Sequence, residues 1–211
     1  MLNWRLRCRL LMDDFSRNLR TMLESKSLSV ADVIRQRRTI HLFRPEVPPF
    51  EVIREAVELA CWAPNHHVTE PWRFTHLGPQ TAAAVVDLNA RLVAQKTSEA
   101  AGEAKRKQWS TVPGWLVVSC LRSDDPTRET EDYAACCCAI QNFSLALWSQ
   151  GIGVKWTTGK VTRDAEFLRL TGIDPAQQRV VGMLWYGYPA EVPAQQRQPV
   201  EAVLPRAAAR R

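Results

Sequence analysis

Four short apolar runs, separated by stretches of helical periodicity, limit this chain to a narrow set of architectures. Trp72-Arg73-Phe74-Thr75-His76-Leu77 alternates in the manner of a half-buried strand and is closed by Gly78-Pro79. Trp115-Leu116-Val117-Val118-Ser119-Cys120-Leu121 and Val180-Val181-Gly182-Met183-Leu184-Trp185-Tyr186-Gly187 are apolar runs of strand length, and Val154-Lys155-Trp156-Thr157 follows Gly151-Ile152-Gly153. Between these runs the periodicity predicts four helical stretches: one upstream of Pro64, a long segment from Gln80 that turns polar through Glu99 to Lys107, an apolar helix from Glu129 to Gln150, and a short helix from Asp164 to Thr171 closed by Gly172. Strands that read as largely buried and alternate with helices predict a sheet covered by helices on both faces. With 211 residues, 45% of them hydrophobic, and no internal repeat, one domain with a full core is expected.

The change from helix to strand between Ala60 and Leu77 gathers His66, His67, Trp62, Trp72, Pro64 and Pro71. Upstream of it, Val52, Ile53, Ala56, Val57, Ala60 and Cys61 recur at helical spacing, with Glu51, Arg54, Glu55 and Glu58 on the other face. Pro64 stops that helix and biases Ala63 toward extended backbone, so the next residues form a loop held by its own side chains. Further upstream, Ser29-Val30-Ala31-Asp32 reads as a capping box, opening a short helix with Val30, Val33 and Ile34 inward. That helix ends in Arg35-Gln36-Arg37-Arg38-Thr39. Two readings stand side by side: cations complementing the helix dipole on a solvated face, or guanidinium forks and a hydroxyl arranged for a phosphate.

Charge and cysteine usage exclude several classes. The net charge of +6 sits at the ends, in Arg5, Arg7, Arg9, Arg17 and Arg20 against Asp13 and Asp14, and in Arg206, Arg210 and Arg211. A neutral body without a basic stripe argues against nucleic-acid binding. Six irregularly spaced cysteines and the lack of a secretory or membrane-length apolar run predict a cytoplasmic protein with no membrane partner. Cys136-Cys137-Cys138 on a helix point about 100° apart and cannot converge on one ion, and Cys61 with His66 and His67 lacks a fourth ligand at a recognisable spacing, so no metal is expected.

Three separated segments together resemble the FMN-dependent nitroreductases, most closely their compact YdjA-like branch. They are Arg37-Arg38-Thr39 after the short helix; Ala63-Pro64-Asn65-His66 leading to Pro71-Trp72-Arg73-Phe74; and Gly151-Ile152-Gly153-Val154-Lys155-Trp156-Thr157-Thr158-Gly159 followed by the run from Val180. The resemblance implies an α+β fold, a mixed sheet flanked by helices, in an intertwined homodimer with two FMN sites at the interface. It also implies a basic N-terminal extension over residues 1–27, an FMN-binding domain over 28–190 and an extended C-terminal arm over 191–211. Carried over, it places Arg37, Arg38 and Thr39 at the FMN phosphate and ribityl chain, and His41 at the N1/O2 edge of the ring. Trp62 and His66 fall near the flavin, Trp156, Thr157 and Thr158 line it, and backbone N–H groups of that turn, including Gly159, lie near N5 and O4.

The implied activity is electron transfer from NADH or NADPH, in ping-pong fashion, to nitroaromatic, quinone or similar small-molecule oxidants. A donor near N1 favours the reduced flavin and a fixed backbone donor serves N5, so no catalytic acid, dyad or triad is expected. An FMN-binding or storage protein on the same scaffold is the alternative. Glu70 stands where the family commonly has glutamine, and its charge is expected to turn into a salt bridge or away from the ring. No motif places a phosphate partner near the C-terminus; Arg197 and Arg206 are the available cations.

Overall fold

In the computed structural model, residues 28–204 are described, as two units divided after Gln36. Along the chain run α1 (Val30–Gln36), α2 (Phe50–Ala60), β1 (Trp72–His76), α3 (Pro79–Lys96), α4 (Glu99–Trp109), β2 (Gly114–Leu121), α5 (Pro126–Ser149), β3 (Gly153–Thr157), α6 (Ala165–Thr171) and β4 (Gln178–Gly187). The two most continuously apolar runs, β2 and β4, take the centre of a sheet ordered β1-β2-β4-β3, and the shorter, alternating runs take its edges. All three strand pairings are antiparallel, so the mixed sheet expected from the sequence is antiparallel throughout its named strands. Parallel pairing is confined to an isolated bridge between Thr39 and Val154.

The period of two along each strand sorts the core into two layers. On one face Leu116, Val118, Val154, Leu184 and Tyr186 pack with Ile53 and Ala56 of α2 and with Ala139, Ile140, Phe143 and Leu147 of α5. On the other, Val117, Met183 and Trp185 meet Val85 and Leu88 of α3, Trp109 of α4 and Phe167 of α6. Helices thus cover both faces. The expected inward stripe of α5 is slightly rotated: Ile140, Phe143 and Leu147 are buried, whereas Tyr133, Cys137 and Trp148 are half-buried and Asp132, Ala135 and Cys136 take the deeper positions.

Several boundaries differ from the sequence expectation. The long segment from Gln80 is two helices, because Ser98 leaves the helix and its Oγ accepts the Ala101 N–H at 3.2 Å, capping α4. What reads as a polar helix end is therefore a docked helix. Its Gly102 lies so close to α3 that a Cβ there would stand 2.7 Å from the Ala90 carbonyl oxygen. Helix α5 starts three residues before Glu129, where Asp125 accepts the Thr127 N–H at 2.9 Å and Pro126 takes the first turn. Helix α2 ends at Ala60, ahead of Pro64. At α1 the capping box forms: Ser29 Oγ accepts the Asp32 N–H at 3.2 Å and donates to its carboxylate at 2.5 Å. Val33 is buried there, but Val30 and Ile34 stand 75% and 53% exposed, outside any inward stripe. From Tyr188 to Leu204 the chain forms no helix or strand apart from an isolated bridge at Pro189 and one 3-10 turn at Val200–Ala202. The basic residues of 1–27 and of 205–211, Arg206 among them, lie outside the described residues.

Candidate functional site

The residues singled out from the sequence fall into two groups, one on each edge of the sheet. The first gathers on β3. Thr39 bridges to Val154, and the Ile40 N–H donates to the Val154 carbonyl at 3.2 Å. Ile40 is fully buried against Gly153, while Thr39 and His41 on either side of it are exposed. In an extended segment that alternation turns Thr39 and His41 to the same side.

Arg37 and Arg38, half-buried, precede this bridge. Burial first, then the positive charges of Arg197 and Arg38, pull the Arg37 guanidinium below its ordinary pKa. Arg197, one of the two C-terminal cations left unplaced by motif, therefore shares the Arg37 neighbourhood. Neither Arg37 nor Arg197 has an ion pair among the described residues. Two further cations lie by the same strand: Lys155 Nζ stands 4.5 Å from the centroid of the buried Trp185 ring, and burial, followed by the charge of Lys105, lowers the Lys155 pKa. Lys155 lies within the Gly151–Gly159 motif but was given no role there, and no motif pointed to Lys105, which only the fold brings from α4 to β3.

At the far end of β3 the Trp156 indole lies against the backbone of Gly182, where a Cβ would come within 2.0 Å of Nε1, and Nε1 donates to the Val181 carbonyl at 3.3 Å. The ring is fixed on one side and remains 39% exposed. Thr158 and Gly159 are exposed beyond it, and the Gly159 N–H meets only Thr157 Oγ1, at a long 3.5 Å.

The second group occupies the loop before β1. Trp62 is 81% exposed. His66 Nδ1 lies 3.0 Å from the Glu131 carboxylate of α5 and stacks on His67, with ring centroids 4.0 Å apart. Thr69 Oγ1 donates to the buried carboxylate of Asp132 at 2.6 Å, and Asn65 Oδ1 accepts the Glu70 N–H at 3.0 Å. The loop is thus held by its own side chains. His67, Val68 and Glu70 all take positive φ, 57°, 51° and 44°. Glu70 is exposed and forms no salt bridge among the described residues.

Within one chain the two groups do not meet. β1 and β3 are separated by β2 and β4, three ladder spacings of roughly 4.8 Å, or about 14 Å. The antiparallel order nevertheless brings the start of β1 and the end of β3 to the same end of the sheet. Among the described residues no cluster of three or more metal-ligating side chains occurs, and no helix is long and apolar enough to cross a membrane.

The sequence model of the Nitroreductase family matches residues 34–188. A Bacillus subtilis (strain 168) protein named as NAD(P)H nitroreductase YfhC is 34% identical over 166 residues, covering 77% of this chain and 85% of its own length. The crystal structure of a nitroreductase-like family protein from Bacillus cereus superimposes with a TM-score of 0.76 at 28% identity, covering 88% of this chain and 99% of that one. A nitroreductase from Desulfovibrio desulfuricans, solved in complex with FMN, shares the fold with a TM-score of 0.68 at 23% identity, over 86% of this chain and 98% of its own.

Proposed function

We propose, since the chain belongs to the nitroreductase family, that it is an FMN-dependent oxidoreductase working as a homodimer, with each of two sites built from both chains. It draws electrons from NADH or NADPH and passes them in a ping-pong cycle to nitroaromatic, quinone or similar acceptors. The separation of the two residue groups carries this reading. Each reaches the surface, each would supply half of a site, and they stand on opposite edges of one sheet. A second copy that sets its β1 edge against the β3 edge of the first completes both halves at once.

The residues on β3 suit FMN. Arg37, Arg38 and Arg197 concentrate positive charge, with Thr39 next in the chain to supply a hydroxyl, a donor set that suits a phosphate dianion. From Gly153 to Thr157 the strand advances about 14 Å, a path the ribityl chain and ring can follow. Bound there, FMN would supply the hydride and electron transfer. The chain's own residues would supply position: Trp156, pinned on Gly182, would wall the ring, the weakly engaged Gly159 N–H would donate toward N5, and His41 would serve the N1/O2 edge. Trp62 and His66 of the partner subunit close the site, and the Glu131 carboxylate fixes the direction in which His66 presents its other nitrogen.

Purified protein should be yellow and bleach on addition of NADH or NADPH, and colour without turnover would favour the storage alternative. The shared site is tested by mixing subunits. Arg37→Ala and His66→Ala homodimers should each be impaired, and co-expression should restore one intact site per heterodimer, about half the flavin and activity of wild type. Mixed dimers no better than either parent would overturn the two-chain site.

A further inference from the structure

The end of the sheet that carries Thr158 also opens onto a polar cavity of about 580 Å³, bordered by Arg122, Arg163, Arg179, Glu129, Tyr133 and Thr158 among others. Its charges do not balance. Arg122 and Arg179 share one carboxylate, Glu129, at 3.5 and 3.8 Å, and Arg163 makes no hydrogen bond or ion pair among the described residues. Three guanidinium groups against one carboxylate leave the lining two positive charges in excess. Two of the cations are also fixed in place. Arg122 Nε donates to the Pro175 carbonyl at 2.8 Å, and the Arg179 guanidinium lies 4.5 Å from the centroid of the Tyr133 ring. Thr162, also on the border, donates its hydroxyl to the Gly159 carbonyl at 2.9 Å, which ties the cavity wall to the turn beyond β3.

We propose that this cavity binds a compact dianion, the phosphomonoester of one of the two redox substrates, beside the ring site. The charge excess matches a phosphate monoester, whose three oxygens suit planar guanidinium donors. The cavity's part in turnover rests on the flavin reading above. The binding of the dianion does not, because every lining residue belongs to one chain and none of the arginines lies on β3. Two sources share this chemistry: the 2′-phosphate of NADPH, which would make the site the origin of a preference over NADH, and a phosphate on the oxidising substrate.

Arg163→Gln is the informative variant, since it takes no hydrogen bond from the fold. Inorganic phosphate and adenosine 2′-monophosphate should each raise the melting temperature of the protein as purified, with FMN occupying its own cradle, at low ionic strength. Arg163→Gln should remove that rise. If the phosphate belongs to the donor, the ratio of KM for NADPH to KM for NADH climbs roughly 10-fold in the variant, as expected for one lost charge-assisted contact. An unchanged ratio with the thermal shift still lost assigns the site to a phosphorylated acceptor and supports the dianion site equally. Colourless protein that keeps an Arg163-dependent phosphate shift would overturn the flavin reading and leave the anion site standing. Neither probe shifting the melting temperature in an Arg163-dependent way would overturn the proposal, whatever the colour of the protein.

Discussion

Replacing Arg197 with glutamine should move two measurements in opposite directions. After burial, the charges of Arg197 and Arg38 are what press the Arg37 guanidinium below its ordinary pKa, so the flavin-free protein carries repulsion at this spot. Arg197 is exposed and Arg37 half-buried, and solvent screening holds that repulsion to about 0.2–1 kcal/mol. Removing it should raise the melting temperature of flavin-stripped protein by a few degrees at most. On the proposed reading the same change also deletes a charge-assisted bond to the phosphate, about 1.5–3 kcal/mol, which would weaken FMN binding roughly 10- to 150-fold. Quenching of FMN fluorescence during titration into stripped protein gives the affinity, and a thermal melt of the same sample gives the stability. Both effects should shrink as salt rises, because both are electrostatic. A variant that melts lower when stripped yet binds FMN as tightly as wild type would show Arg197 to be a structural partner, and the three-arginine phosphate cradle would be wrong.

Gly182→Ala forces a Cβ into the Trp156 ring, which would have to leave its place on β4; a loss of about 1–3 kcal/mol follows, seen as a melting temperature lower by several degrees together with a shifted tryptophan emission. Thr69→Val leaves the buried Asp132 carboxylate without the hydroxyl now 2.6 Å from it, at about 1–3 kcal/mol, and a urea midpoint unchanged from wild type would contradict that coupling. Two groups bound at 2.9 Å, His76 Nε2 and Tyr186 Oη, set opposite pH limits. Burial raises Tyr186 from 10.0 to about 12, so the stability it contributes is complete below pH 10 and is lost as the pH climbs toward 12. Burial lowers His76 from 6.5, so its contribution is complete above that pH and is lost as the pH falls through the folded value. Tyr186→Phe should flatten the alkaline limb of urea midpoints measured against pH and leave the acid limb sloping.

The layers of the fold were legible because strand runs and helical stripes are written in apolar periodicity, and burial follows periodicity. Helix ends depended on single capping residues. Gly172 and the Ser29–Asp32 box could be read directly, whereas Ser98 could not be told from any serine in a polar stretch until its Oγ was seen on the Ala101 N–H. The same limit hid Asp125, one position before a proline. At the candidate site the residues within contiguous motifs, Arg37-Arg38-Thr39 and Trp156-Thr157-Thr158-Gly159, could be named from the sequence. The cations that reach the same strand from elsewhere, Arg197 from the C-terminal arm and Lys105 from α4, are brought there only by the chain's path. No local pattern marks them.

The loop before β1 shows why a site of this kind is better divided between edges than gathered on one. A β-branched residue at positive φ costs about 1–3 kcal/mol, and Val68 at 51° pays it with its side chain 77% exposed, flanked by His67 and Glu70 in the same region of backbone space. Nothing in the core rewards that conformation. What holds it is a set of polar ties to the loop itself and to α5: Asn65 to the Glu70 N–H, Thr69 to Asp132, His66 to Glu131. Those ties leave Trp62, His66 and Val68 directed outward, where a single chain has no use for them. On the proposed reading the outward side chains meet a second copy at its β3 edge, so association repays the strain and completes the flavin pocket in the same step. Weakening the loop would then loosen the dimer and the cofactor together, while the sheet beneath, anchored by β2 and β4, stays folded.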